Sequence, residues 1–416
     1  MRDLLETLIA ENWANIESAR KGCARQYTFP HADNMIKTAI GMRRAGKTFF
    51  LYQTIDDLLD KGIPPERILF INFEDDRLLP MDVKTMGQLL DTFYTIYPDN
   101  HDHICYFFLD EVQNIPDWHL VVRRYFDSKK VQLYITGSSA KLLSTDIHTR
   151  LRGRSLSLEI WPYSFSEYLS TLNIIHNTKI IGQATVDKLQ QHLLHYFSVG
   201  GFPAVQSMAQ HEWRETLQGY VDTVILKDII ERHKVENTVV LKYLATTLLK
   251  NAACAFSVNK FYNDCKSQGY KIGKDTIHTY INYIQDAFLA FSVPIYSDSD
   301  RAAHSKPKKI YAVDVGLINA LSLDSNRIYG KLFENLIYLD LRRQHKKIYF
   351  YHTQDGYEVD FLTIDLEGKR ELLQICWDIS DEATVQREER SLAQAKKELG
   401  IKGKIITPRE YFRNTL

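Results

Sequence analysis

Charge of one sign is missing from this sequence: 52 Lys+Arg are matched by 52 Asp+Glu across 416 residues. No bulk field therefore draws the chain to nucleic acid, and any such binding must use a local patch. Long hydrophobic runs are missing too; none approaches the ~20 residues a membrane-spanning helix needs, so no membrane contact is expected. The first residues, MRDLLETLIAENW, set acids inside their apolar stretch and do not read as a secretory signal. Cysteine is sparse, and Cys23, Cys105, Cys254, Cys265 and Cys376 form no CxxC or metal-ligand spacing. A disulfide framework is excluded, and a reduced, cytoplasmic location is expected. Internal repeats and low-complexity segments are absent. What remains is a 44% hydrophobic, 12% aromatic composition, too apolar for disorder. At ~100–200 residues per domain, the length allows about two to four domains.

Residues 1–30 read as an N-terminal helix and tail closing at Phe29-Pro30. Across 31–162, short apolar runs alternate with helical stretches: MIKTAIG (35–41), RILFINF (67–73), ICYFFLD (104–110) and VQLYITG (131–137). Each run suits a strand buried on both faces, so this stretch predicts an α/β fold with a parallel sheet. Residues 163–235 change to helical periods, with a turn at GGFP (200–203). Residues 236–325 hold three more helical periods and the β-rich IYAVD (310–314). Residues 326–416 alternate again, through the helix GKLFENLIYLDLRRQ, the strands IYFYH, EVDFLTID and ELLQICWDI, and the charged helix VQREERSLAQAKKELG.

The chemistry begins at Gly41-Met42-Arg43-Arg44-Ala45-Gly46-Lys47-Thr48, which matches GxxxxGK[ST] between an expected strand and an expected helix. Gly41 and Gly46 permit the tight backbone that aims successive N–H groups at phosphate oxygens. The helix starting near Lys47, with Phe49 in its first turn, adds its partial positive charge. Lys47 is expected on the β/γ-phosphates and Thr48 on Mg²⁺.

A second strand ends in Asp110-Glu111. Asp110 suits Mg²⁺ coordination through water, and Glu111 suits polarisation of the attacking water. Strand-end hydroxyls at Thr136, Ser138 and Ser139 suit a sensor of the γ-phosphate, and Asn72 a restraint on Glu111; an ordinary strand-end cap explains each as well. Arg150, Arg152 and Arg154 lie in HTRLRGRSLSLEI. Arg152 or Arg154 is expected to reach a γ-phosphate, in its own subunit or the next, with a solvated basic loop as the alternative.

Taken in order, GMRRAGKT, FFLDEVQNIPDW, YITGSSAKLL and LRGRSLSLEIWPYSFSEYL resemble bacterial and archaeal AAA-type ATPases of the archaeal-ATPase group. The later GGFP, KPKKIYAVDVGLINAL and GKLFENLIYLDL resemble the C-terminal module usually fused to them. The resemblance spans about residues 20 to 380. It implies a P-loop ATPase core, a helical lid, a winged-helix segment and a C-terminal α/β domain similar to restriction-endonuclease-type nucleases.

Two later segments can also be read directly. Across 257–291, SVNKFYNDCKSQG and KDTIHTYINYIQDAFLAF form two helices joined at Gly269. Ile277, Ile281, Ile284 and Phe288 share one face of the second helix, leaving Lys274, Thr276, His278, Thr279 and Asn282 outside it. That arrangement, with the basic loop Arg301–Lys309 as a wing, suits a DNA reader through residues 257–309; a three-helix packing module suits it equally. Further on, Glu334 and Asp360 match the acids of a two-metal nuclease, but Gln374 and Cys376 stand where Glu and Lys are needed. A degenerate, binding fold is expected, with Glu358 or Lys369 as candidate substitutes.

The reading is an ATPase using ATP and Mg²⁺, whose nucleotide state controls C-terminal modules that bind DNA or a partner protein. The alternatives are an ATP-gated DNA nuclease using Glu334 and Asp360, and a slow-hydrolysing nucleotide-switched adaptor. Oligomerisation is compatible with each, and is required if the arginine acts in trans.

Overall fold

The apolar runs become strands. The computed structural model describes residues 1–20, 22–138, 151–174, 182–297, 306–322, 329–378 and 382–415. The chain forms two units, Met1–Trp161 and Pro162–Leu416.

In the first unit the order is α1 (Arg2–Ala19), β1 (Ile36–Ile40), α2 (Lys47–Asp60), β2 (Ile68–Asn72), α3 (Val83–Ile96), β3 (Cys105–Asp110), α4 (Trp118–Ser128), β4 (Val131–Gly137) and β5 (Ser155–Glu159). The strands make a five-stranded sheet in the order β2-β3-β4-β1-β5, and every pairing is parallel. Every residue of β1 is buried, as a central strand of a covered sheet requires. Phe29, from the tail after α1, packs on Phe50 of α2 and Tyr134 of β4, at 4.8 and 5.2 Å between ring centroids. Each such ring contributes about 1.5–3 kcal/mol by leaving water. The N-terminal segment is thereby part of the core of this unit.

Strand β5 was not among the expected runs. Its sequence SLSLE alternates, with only Ser155 and Leu158 buried, as befits a sheet edge. It runs beside β1 from Ile36↔Ser155 to Ile40↔Glu159.

The second unit opens with α5 (Phe165–Thr171), α6 (Gln183–Val199) and α7 (Gln210–Thr223), which continues as a π-helical segment, Val224–Glu231. Next come α8 (Thr238–Lys250), β6 (Cys254–Phe256), α9 (Val258–Ser267), α10 (Lys274–Asp286), β7 (Ala290–Val293), β8 (Lys308–Ala312) and α11 (Val315–Leu321). Helix α10 stops short of the expected 291 because Phe288 takes a left-handed φ of 57°. In α10, Tyr280 rather than Ile281 joins Ile277 and Ile284 in the core. Strand β8 is central in an antiparallel sheet, β6-β8-β7. The chain then runs through α12 (Tyr329–Arg343), β9 (Lys347–His352), β10 (Glu358–Ile364), β11 (Arg370–Ile375), α13 (Glu382–Leu399), β12 (Gly403–Ile406) and α14 (Pro408–Thr415). Here the sheet order is β12-β11-β10-β9, with β11 and β12 parallel and the other pairs antiparallel.

The GGFP turn meets the start of α11 at a close contact of backbone and the Asp314 carboxylate. Asp314 caps that helix, accepting from the Gly316 and Leu317 amides, and also accepts the Gly201 amide at 2.6 Å. A Cβ on Gly316 would lie 2.2 Å from the Val199 carbonyl oxygen. Gly316→Ala is therefore expected to destabilise this unit by about 1–3 kcal/mol, the usual cost of overpacking. Chemical denaturation checks this: the variant's unfolding midpoint should fall, and an unchanged midpoint would show the contact to be slack.

Candidate nucleotide site

Strand β1 delivers the chain into a loop that only particular residues can form. Gly41 has φ 153°, and a Cβ there would lie 2.1 Å from the Ile160 carbonyl oxygen. Arg44 and Gly46 also have positive φ, 66° and 97°, and Gly46 caps α2. The loop therefore ends at a helix N-terminus, with unpaired amides and a positive dipole end. Lys47, 4% exposed, donates to the carbonyl oxygens of Gly41 and Met42, both at 3.2 Å. Its ammonium is 3.5 Å from Glu111 Oε1. Thr48 Oγ1 donates to Asp110 Oδ2 at 2.7 Å.

The two acids stand at the C-terminal end of β3, in a setting that pushes them apart. Burial, then the neighbouring Glu111 charge, raises Asp110 to about 6. Burial also acts to raise Glu111, but Lys47, the Gln113 amide and Arg43 outweigh it and hold Glu111 below its ordinary value. Glu111 has φ 53°, an unusual conformation for a side chain of its size and one that clusters at functional sites. Thr136 on β4 braces both: its Oγ1 donates to Asp110 Oδ1 and accepts the Glu111 amide at 2.9 Å. A hydroxyl and a carboxylate oxygen side by side form a donor set for a hard cation, and no group of three His, Cys, Asp or Glu among the described residues offers a stand-alone metal cage. That suits Mg²⁺, which usually takes one or two protein oxygens together with phosphate oxygens and water.

Other expected positions fare differently. Asn72 Oδ1 accepts the Glu74 amide at 2.9 Å, and the side chain that bonds Glu111 is Gln113, a residue the sequence reading passed over. Arg43 pairs with Glu74 at 2.7 Å, and Phe49 lies half-buried in the first turn of α2. Ser138 is buried at the end of β4; Ser139 and Arg150 lie outside the described residues. Arg154 is tied to the start of β1. Its carbonyl accepts the Ile36 amide at the start of β1, and its guanidinium pairs with Asp127. The five residues of β1, at ~3.3 Å each, hold it about 15 Å from the loop. Arg152 sits in the same Leu151–Arg154 turn.

A second charged cluster lies in the Pro162–Leu416 unit. Lys309 of β8 directs its buried ammonium to Glu334 at 2.9 Å, Glu358 at 2.6 Å and Asp360 at 3.1 Å. Tyr311, two residues on and facing the same way, donates to Glu334 at 2.7 Å. Gln374 is engaged on both sides, accepting the Asp360 amide and donating to Glu388. Cys376 is buried with its thiol on the Asp378 carbonyl, while Lys369 lies exposed in a turn. Of the two candidate substitutes, Glu358 is therefore in the cluster and Lys369 is not. Burial, then Asp360, raises Glu334 to about 8.

Loop, metal-suited hydroxyl–carboxylate pair and parallel sheet together are those of a P-loop domain. The AAA domain family matches residues 33–169, and domains of unknown function, DUF8612 and DUF4143, match 190–327 and 329–411. The chain is 33% identical over 414 residues to the uncharacterized protein MJ1544 of Methanocaldococcus jannaschii, covering 97% of this chain and 89% of that one. An uncharacterized protein of Haemophilus influenzae is 31% identical, over 80% of this chain and 78% of its own. The chain belongs to the family of these two proteins. Among solved structures, the Walker-type ATPase PABY2304 of Pyrococcus abyssi aligns over 69% of this chain and 90% of its own, at 12% identity and a TM-score of 0.43. No described helix is long and apolar enough to cross a membrane.

The raised Glu334 carries a pH signature. Its proton is held more tightly in the folded than in the unfolded chain, so between about pH 4.3 and pH 8 the folded state binds more protons. Stability from this group is present below the window and is lost as pH rises through it. Denaturant titrations from pH 5 to 8 should show that decline in the wild type and a shallower one in Glu334→Gln. Equal slopes would mean Glu334 is ionised throughout.

Proposed function

We propose that this chain is a Mg²⁺-dependent ATPase whose nucleotide state controls C-terminal modules that bind DNA or a partner protein. The observation that carries the reading is the meeting of Lys47 with Glu111 and of Thr48 with Asp110 at the end of one parallel sheet. Gly41 to Phe49 would cradle the phosphates, Lys47 neutralising the terminal ones. Thr48 and Asp110 would hold Mg²⁺, which supplies charge neutralisation on the phosphate oxygens. Glu111, kept ionised beside Lys47, accepts a proton from the attacking water as the terminal phosphoryl group leaves. Either Arg152 or Arg154 would then act on a neighbouring subunit's nucleotide.

On this reading residues 1–30 precede a core at 31–162, followed by a lid at 163–235, a winged-helix-like part at 236–325 and a restriction-endonuclease-like part at 326–416. The polar face of α10 supports a binding role. Lys274, His278 and Asn282 line a groove of about 810 Å³ together with Lys306 and Lys308. Its local positive charge is what a neutral chain needs to hold a phosphate backbone. The C-terminal carboxylates enter as binding-fold architecture, because Lys309 already occupies the space among Glu334, Glu358 and Asp360 that a divalent cation would need.

Glu111→Gln tests the proposal. It should bind ATP as the wild type does while turnover falls ~10²–10⁴-fold, the usual contribution of a general base. Normal turnover would remove Glu111 from the mechanism. DNA should bind with an affinity that falls steeply with salt and should stay intact with Mg²⁺ or Mn²⁺. Cleavage that Glu334→Gln abolishes would favour the nuclease alternative, and salt-independent behaviour would favour a protein partner.

A further inference from the structure

The tail that follows α1 reaches the back of the phosphate loop. Arg25 is 3% exposed, and its guanidinium donates to two main-chain carbonyls: Ala45 at 2.8 Å and Trp161 at 2.6 Å. Ala45 precedes Gly46 at the end of the loop. Trp161 follows Ile160, whose carbonyl crowds Gly41 and whose amide donates to Ile40 at the loop's start. One planar, five-donor group therefore spans both shoulders of the loop, a task a single-point ammonium cannot match. Arg25 is itself fixed: its amide donates to Gln53 Oε1 at 2.7 Å, its carbonyl accepts from Gln53 Nε2 at 3.1 Å, and its guanidinium lies 5.1 Å from the Tyr27 ring centroid. The matched AAA domain begins at residue 33, so nothing in it assigns Arg25 a role.

We propose that Arg25 is a positioning residue for nucleotide binding, acting through the Ala45–Gly46 peptide. In a trans peptide the carbonyl and the following amide point in opposite directions. Holding the Ala45 carbonyl on Arg25 turns the Gly46 N–H away from Arg25, toward the side where phosphate oxygens are bound. Without the guanidinium, that peptide is free to rotate, and the loop must be ordered anew each time a nucleotide binds. The inference rests on the nucleotide-binding reading above.

The test measures Mg-ATP affinity with a fluorescent analogue, alongside kcat, KM and nucleotide-free thermal unfolding, for wild type, Arg25→Met, Arg25→Lys and Lys47→Ala. Arg25→Met should raise Kd and KM ~10- to 100-fold, with a smaller change in kcat. Arg25→Lys should fall between, since an ammonium can serve one carbonyl well. A purely structural role would lower the melting temperature while leaving the affinity of the folded protein intact. Should Arg25→Met fail to fold, Arg25→Lys decides: weaker ATP binding supports the proposal, and binding within about twofold of wild type overturns it. Failure of the underlying reading looks different, because the wild type would then bind no better than Lys47→Ala.

Discussion

One hydroxyl, Thr136 Oγ1, holds the candidate nucleotide site together from a strand that carries neither the glycine-bearing loop nor the acids. Strand β4 lies between β1 and β3, and the parallel register sets Thr136 beside Ala39, two residues before the loop. On its other side the hydroxyl reaches Asp110 and the amide of Glu111. Neighbouring strands are ~4.8 Å apart, so the end of β3 stands about 10 Å from the end of β1. Side chains must cross that gap: Thr48 and Lys47 from one side, Asp110 and Glu111 from the other. Because every strand runs the same way, all these groups emerge at one edge of the sheet. A one-residue slip of β4 would turn Thr136 to the opposite face and leave both acids without their brace.

How much of this could be read from residues alone follows from which signals are local. The loop is a run of adjacent residues whose backbone demands are met by Gly41 and Gly46, and β1 to β4 are continuous apolar runs; both signals survive in one dimension. Strand β5 is an alternating edge strand and gives no such run. Thr136 and Gln113 act through partners set by register and by the turn after β3, and only the fold supplies those. Arg154 shows how the fold adds what a run of residues lacks. It lies in a basic stretch of the kind that supplies arginine fingers, yet parallel pairing with β1 puts it at the far edge of the sheet, where Asp127 takes its charge.

The C-terminal cluster follows the same logic in electrostatic form. Position 376, two residues after Gln374, holds a cysteine and no cation; the cation present comes from Lys309, on another sheet and 51 residues before Asp360. Three carboxylates around one ammonium cannot all ionise cheaply inside a protein. The structure resolves the conflict unevenly. Burial acts to raise Glu358, but Lys309 and then His352 outweigh it and hold this partly exposed carboxyl below its ordinary pKa, while the more deeply buried Glu334 is pushed up to about 8. Removing one partner from such a group costs more than the group contributes as a whole, because the remainder is left buried and unpaired.

Alternation along β8 connects that cluster to the groove. Successive side chains of a strand point to opposite faces, so Lys308 and Ile310 line the groove beside α10 while Lys309 and Tyr311 face the carboxylates. The groove wall is therefore the back of an ion-paired, doubly hydrogen-bonded strand, central in its own sheet. A strand held on both edges and one face has little conformational entropy left to lose when something binds its other face. Anything that entered the groove would meet Lys308 on a fixed wall, so the ordering cost would fall mainly on the lysine side chain and on the ligand. The carboxylates that hold Lys309 thus also fix the position of Lys308, from the opposite face of the same strand.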